Sequence, residues 1–175
     1  ATCTAKRNLG ETCGVTLACM EQRCREGTVC QSGVCAIATT AEPVTVPHLG
    51  TLHGAVRHTG AEVAVDAYHG IPYAQAPVGP LRWQAPRDPL AWGERDATHF
   101  GFVCPACSCK ASKNESEDCL FLNVFRPHGH TSTQRKLPVM VWIHGGSFRY
   151  GCSDREAMEN TVAAGVKTGR PVVGV

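Results

Sequence analysis

Residues 137–151, LPVMVWIHGGSFRYG, decide how the chain is read. After Pro138, the run Val139 to Ile143 is apolar and rich in β-branched residues, the pattern of a strand buried on both faces of a parallel sheet. His144, Gly145, Gly146 and Ser147 then break it at once. Paired glycines after such a strand let bare backbone amides turn outward and approach a ligand closely. Amides aimed in advance at a developing negative charge can lower an acyl-transfer barrier by about 2.7 to 4 kcal/mol for each donor. A plain strand-end turn is the competing reading, and the flanking segments decide between the two.

The succession continues as an α/β unit. Ser153-Asp154-Arg155-Glu156 has the S-x-x-E form of a capping box and predicts a helix from there to about Lys167, with Gly169 just past its end. Arg170 to Val175 reads as the next parallel strand. A right-handed crossover of this kind places the glycine turn at the carboxyl end of a strand, where open α/β sheets bind ligands.

Upstream, Thr51–His58 and Glu62–Tyr68, separated by Thr59-Gly60, predict an antiparallel hairpin at the edge of the sheet. Pro72, Pro77, Pro80 and Pro86 then forbid regular structure across GIPYAQAPVGPLRWQAP, a loop expected to be packed by Tyr73 and Trp83. An alternating strand is expected over Leu120 to Phe125, after the acidic pair of SEDC.

Composition narrows the class. The 175 residues are 43% hydrophobic and 18% charged, which is globular. A net charge of +2, from 17 basic and 15 acidic residues without runs, gives no footprint for nucleic acid or an anionic membrane. No apolar run approaches the roughly 20 residues of a membrane span. The start on Ala1, with no initiating Met or signal peptide, and the stop at Val175 inside an apolar run are read as a processed start and an artificial end.

The 11 cysteines point to an oxidising, secretory setting, and their odd number leaves at least one outside any pairing within the chain. Six of them, from Cys3 to Cys35, are spaced by four to nine residues in a segment poor in aromatics. Such a segment cannot build a core and should depend on disulfides. It reads as a small stapled module, acting either as a spacer or as a docking unit for an extracellular partner. Ala36–Pro47, AIATTAEPVTVP, suits an extended linker, and the domain boundary is placed near Glu42, giving residues 1–41 and 42–175. The knuckle spacing and nearby histidines of a zinc site are missing, so no metal and no cofactor is expected. CPACSC adds Cys107 and Cys109, which are read as disulfide partners for each other, for Cys152 or for the head module.

Three stretches, GIPYAQAPVGPLRW, SEDCLFLNVFRP and VMVWIHGGSF, resemble in order and spacing the amino-terminal segments of the type-B carboxylesterases, the α/β-hydrolase family that includes cholinesterases. The resemblance covers about Val46 to Val175. It implies an α/β fold in which this chain supplies an incomplete hydrolase sheet, the antiparallel hairpin and first parallel strands, behind a disulfide-rich module. It also implies a secreted serine ester hydrolase acting on a small-molecule ester. Gly146 and Ser147 match the positions whose N–H groups form the family's oxyanion hole, with Gly145 supplying the turn before them. Cys104 and Cys119 match its first disulfide, with fourteen residues between them. No aromatic lies in that interval, so a choline ester is not the expected substrate.

Asn114-Glu115-Ser116 in the same loop is an N-glycosylation sequon. The family's G-x-S-x-G nucleophile elbow is absent, and with it the acid and histidine that follow it in this fold. No histidine can be given a catalytic role: His144 reads as structural, and His53, His58, His69, His99, His128 and His130 as surface groups. The alternative reading is an adhesion or binding protein that kept the fold and lost the catalytic serine.

Overall fold

A computed structural model describes residues 28–31, 34–37, 40–59, 63–105, 115–131, 134–147, 149–154 and 158–175. In chain order the strands among the described residues are β1 (Thr28–Gln31), β2 (Val34–Ile37), β3 (Val44–Val46), β4 (Gly50–His53), β5 (Ala55–Thr59), β6 (Val63–Pro72), β7 (Gly93–Asp96), β8 (Phe121–Pro127), β9 (Val139–Met140) and β10 (Val173–Gly174), with one α-helix among them, α1 (Glu159–Lys167), before β10. β1 and β2 form an antiparallel pair with Cys30 opposite Cys35, while the cysteines from Cys3 to Cys24 lie outside the described residues.

The main sheet has the order β5-β6-β8-β10-β9. Its first three strands are antiparallel neighbours, β10 runs antiparallel to β8, and β9 and β10 are parallel. The chain therefore leaves β8, steps one place beyond to β9, and returns through α1 to fill the gap with β10. This makes a β-α-β crossover beside a strand-order reversal, where open α/β sheets leave a crevice.

Period-2 alternation sets the two faces of β6. Val63, Val65 and Ala67 face α1 and pack with Phe125, Val162 and Ala163. Tyr68, together with Val56, Leu52, Ile71, Ala41 and Ala97, forms a second cluster with the smaller sheet β3-β4-β7. Covered on both sides, β6 is buried along almost its whole length. On that second face Asp66 is fully buried and ionically satisfied: Arg126 donates to it at 3.0 Å and His128 Nδ1 at 2.7 Å. Arg126 lies over the Tyr68 ring, and the Tyr68 hydroxyl donates to the Glu42 carbonyl at 2.5 Å.

Several expectations change. The hairpin partner of β6 is only Ala55–Thr59, because the chain switches sheets at Gly54, where a side chain would meet the Ala67 carbonyl 2.5 Å away. The supposed linker is not free chain at its end: Ala41 is buried and β3 pairs with β4. Tyr73 and Trp83 do not pack the proline-rich loop. Trp83 is 84% exposed, with the Arg82 guanidinium over its ring.

His69 is not a surface group but 1% exposed, because β6 runs on to Pro72 and carries it into the core. The expected capping box does not start α1. That helix begins at Glu159 behind Met158 without a side-chain cap, while Ser153 lies in a turn whose carbonyl accepts from Asn123. Gly169 does follow the helix end, at φ +70°.

The largest change concerns Val139–Ile143. The run is exposed rather than buried, Ile143 at 82%, and it lies at the edge of the sheet, as expected where this chain supplies an incomplete hydrolase sheet. Its apolar pattern is that of a doubly covered strand, yet among the described residues it has a strand partner on one side only.

Candidate active site

β9 delivers the chain to the glycine turn. Parallel pairing continues past it, with the Trp142 amide donating to the Val175 carbonyl at 2.8 Å, so the turn starts from a fixed strand end. Gly146 (φ +140°) and Ser147 (φ +53°) then reverse the chain. The carbonyl of Gly146 accepts from the amides of Arg149 and Tyr150 at 3.0 and 3.2 Å. Among the described residues, the N–H groups of Gly146 and Ser147 donate to no protein acceptor. Gly145 has no positive φ and open space beside it, so the reversal itself rests on Gly146 and Ser147.

The turn closes tightly on itself. A Cβ at Gly146 would fall 1.7 Å from the Tyr150 carbonyl oxygen, and one at Gly151 would fall 2.4 Å from His144 Nδ1 and 2.5 Å from the Gly145 carbonyl oxygen. Glycine is therefore required at both positions by contact as well as by conformation. The His144 ring stays beside the turn, with Nδ1 3.0 Å from the Gly145 carbonyl oxygen.

Both shoulders of the turn, Val141–His144 and Gly151–Ser153, line a cleft of about 410 Å³. Phe121, Asn123 and Phe125 of β8 and the Cys104–Cys119 disulfide also line it. Among the described residues, no Asp, Glu, Lys or Arg lines it. A cleft of that size, mostly apolar with a few polar groups, suits a small neutral molecule.

The part of the cleft wall around Cys104 and Cys119 is held by several cross-ties. Cys104 and Cys119 are bonded at 2.03 Å, Ser116 N–H donates to the Val103 carbonyl at 2.9 Å, and Arg82 Nε donates to Glu117 at 2.7 Å. Cys152 is buried against Val103 and is itself disulfide-bonded. Cys107, Cys109 and Asn114 lie outside the described residues.

Two groups at this site escaped the sequence reading. Asn123 is buried in β8, and its amide links Gly70 N–H at 3.0 Å to the Ser153 carbonyl at 3.1 Å. The signal was a polar residue at an inward position between Phe121 and Phe125. His69 lies behind the cleft wall, 4.0 Å from the Phe100 ring centroid and 5.4 Å from that of Phe125; near the Asn123 amide, neither ring nitrogen makes a well-formed hydrogen bond among the described residues. Burial above all, helped by the nearby Arg57 charge, pushes its pKa down to about 3.

The nucleophile is missing among the described residues, for no serine hydroxyl is hydrogen-bonded to a histidine. Thr98, His99 and Asp96 do lie together, but hydroxyl and carboxylate both approach the same nitrogen, Nδ1 of His99. A working triad needs them on opposite nitrogens. No cluster among the described residues could hold a metal ion.

Strand order, crossover and crevice are those of an α/β-hydrolase. The structure superposes on a solved PNB esterase with a TM-score of 0.62 at 36% identity, over 77% of this chain and 27% of the other. The model of the carboxylesterase family matches residues 40–167, and the chain belongs to that family. Among relatives, the para-nitrobenzyl esterase of Bacillus subtilis is 40% identical over 65% of this chain and 24% of its own length. The medium-chain fatty acyl-CoA hydrolase precursor of Anas platyrhynchos is 37% identical over 70% and 25%, and the human cocaine esterase 34% identical over 77% and 28%. The chain thus spans about a quarter of the length of the curated relatives it matches.

Proposed function

We propose that residues 42–175 are the amino-terminal part of the hydrolase domain of a secreted serine carboxylic ester hydrolase, carried behind a disulfide-rich module, residues 1–41. The observation that carries the reading is the pair of amides, Gly146 and Ser147, that donate to no acceptor among the described residues, in a turn whose two flanking limbs line a cleft at the end of a parallel strand. In this reading a serine from a later G-x-S-x-G elbow gives its proton to a histidine and attacks the ester carbonyl carbon. The carbonyl oxygen, now negative, is held by the two N–H groups. The alcohol leaves with the histidine's proton, and water releases the acyl group by the same route.

The exposed edge of β9 fits this assignment, since an apolar strand with an unpaired side is completed by a further strand of the domain. Asn114 carries a glycan in this reading, and the head module meets an extracellular partner.

The test is hydrolysis of p-nitrophenyl butyrate by the full-length protein. Turnover abolished by a serine-directed organophosphonate is the expected result, with residues 1–175 alone inactive. A folded full-length protein that hydrolyses no ester overturns the reading in favour of a cholinesterase-like binding protein.

A further inference from the structure

Asn123 is the polar interruption of an apolar strand, buried, and used from both ends of its amide. A buried amide is tolerated when both its donor and its acceptor are satisfied, and it then fixes whatever it joins in a single geometry. On one side it holds Gly70. That peptide is rigid: Gly70 sits at φ +60°, its carbonyl accepts Arg95 Nε and Nη2 at 3.2 and 2.8 Å, and a Cβ there would meet the His99 carbonyl at 2.8 Å. On the other side Asn123 holds Ser153, the end of the limb by which the chain leaves the glycine turn.

From Ser153 back to the turn there is no slack. Cys152 is buried, Gly151 is pressed against His144 and Gly145, and Tyr150 against Gly146. We propose that Asn123 is a positioning residue for the turn, tying its exit limb to the rigid Gly70 peptide and so setting where the Gly146 and Ser147 amides point. The catalytic consequence rests on the hydrolase reading above, whereas the placement does not.

The test uses the full-length protein with N123A and N123D, and Leu52→Ala as a control that lowers stability from the far cluster. N123D keeps the acceptor for Gly70 and loses the donor to Ser153, so it serves where N123A fails to fold. The expected result is kcat for p-nitrophenyl butyrate down about 10- to 100-fold with KM within about twofold, the scale of a small misplacement of a reacting group. Amide exchange over residues 144–153 should quicken about tenfold or more, with neither readout moved by Leu52→Ala. In N123D the exchange ratio to wild type should shrink as pH falls, because the introduced carboxyl can donate to Ser153 only when protonated.

Unaltered exchange over 144–153 in N123D overturns the inference whatever the activity. Quickened exchange in a protein that never hydrolyses an ester keeps the placement and removes the hydrolase reading instead.

Discussion

The imidazole of His69 lies 4.0 Å from the ring of Phe100, centroid to centroid, in a core position where neither ring nitrogen makes a well-formed hydrogen bond among the described residues. A cation there is costly, which is why its pKa falls to about 3. The unfolded chain takes up the proton near pH 6.5, whereas the folded chain does not until about 3. Stability from this group is therefore complete above pH 6.5 and is lost as pH drops through the window below it, by roughly 1.4 kcal/mol per pH unit. Thermal melts of the full-length protein at pH 7 and pH 5 check this. His69→Leu should shrink the difference in Tm between the two pH values, and an unchanged difference would discard the account.

Asp66 and Arg126 form a buried pair whose partners cannot be removed evenly. Arg126→Met leaves the fully buried Asp66 carboxylate with His128 as a remaining partner, so the loss should approach but not exceed the roughly 3 to 5 kcal/mol of a wholly uncompensated buried charge. Glu42 meets the same guanidinium at 3.4 Å from an exposed position, so Glu42→Ala should cost no more than about 1 kcal/mol. Urea midpoints of the two variants should fall in that order, and equal losses would mean that Asp66 finds other partners.

How far these features were legible depended on whether the signal was local. The hairpin strands and β8 announce themselves by alternation, and Gly169 past α1 by its residue type, because pleat and left-handed turn constrain the residues that make them. The start of α1 was misread because Ser153 spends its carbonyl on Asn123, thirty residues away in sequence, and no local pattern reports such a bond. His69 was misread for a related reason: its burial follows from the length of β6 and from Phe100 and Phe125 closing on it. Val139–Ile143 has the composition of a covered strand, and whether it is covered depends on chain beyond its own neighbours.

The Cys104–Cys119 bond closes a loop with a sequence separation of 15, and loop entropy puts its worth at about 3 kcal/mol. Because both cysteines line the cleft, the double variant C104A/C119A should also loosen that part of its wall. The expected outcome is a lower denaturant midpoint together with a raised KM for neutral esters. A loss of stability with KM unchanged would show that this wall does not contact substrate.

The glycine turn itself gives the sharpest ordering. At Gly146 a methyl group would overlap the Tyr150 carbonyl oxygen at φ +140°, so Gly146→Ala must shift the backbone that carries the amide. In the proposed hydrolase reading, losing one oxyanion donor costs about 10²- to 10³-fold in kcat. Ser147 already bears a side chain at φ +53°, a conformation that costs an ordinary residue on the order of 1 kcal/mol, so Ser147→Gly should keep its amide in place and raise stability slightly. Gly145 has neither a positive φ nor a neighbour within 4 Å, and Gly145→Ala should cost less than about threefold on the same steric grounds. Steady-state kinetics of the three variants in the full-length protein checks the order. Were Gly145→Ala as damaging as Gly146→Ala, the requirement at this turn would come from the approach of substrate and not from the fold of the turn.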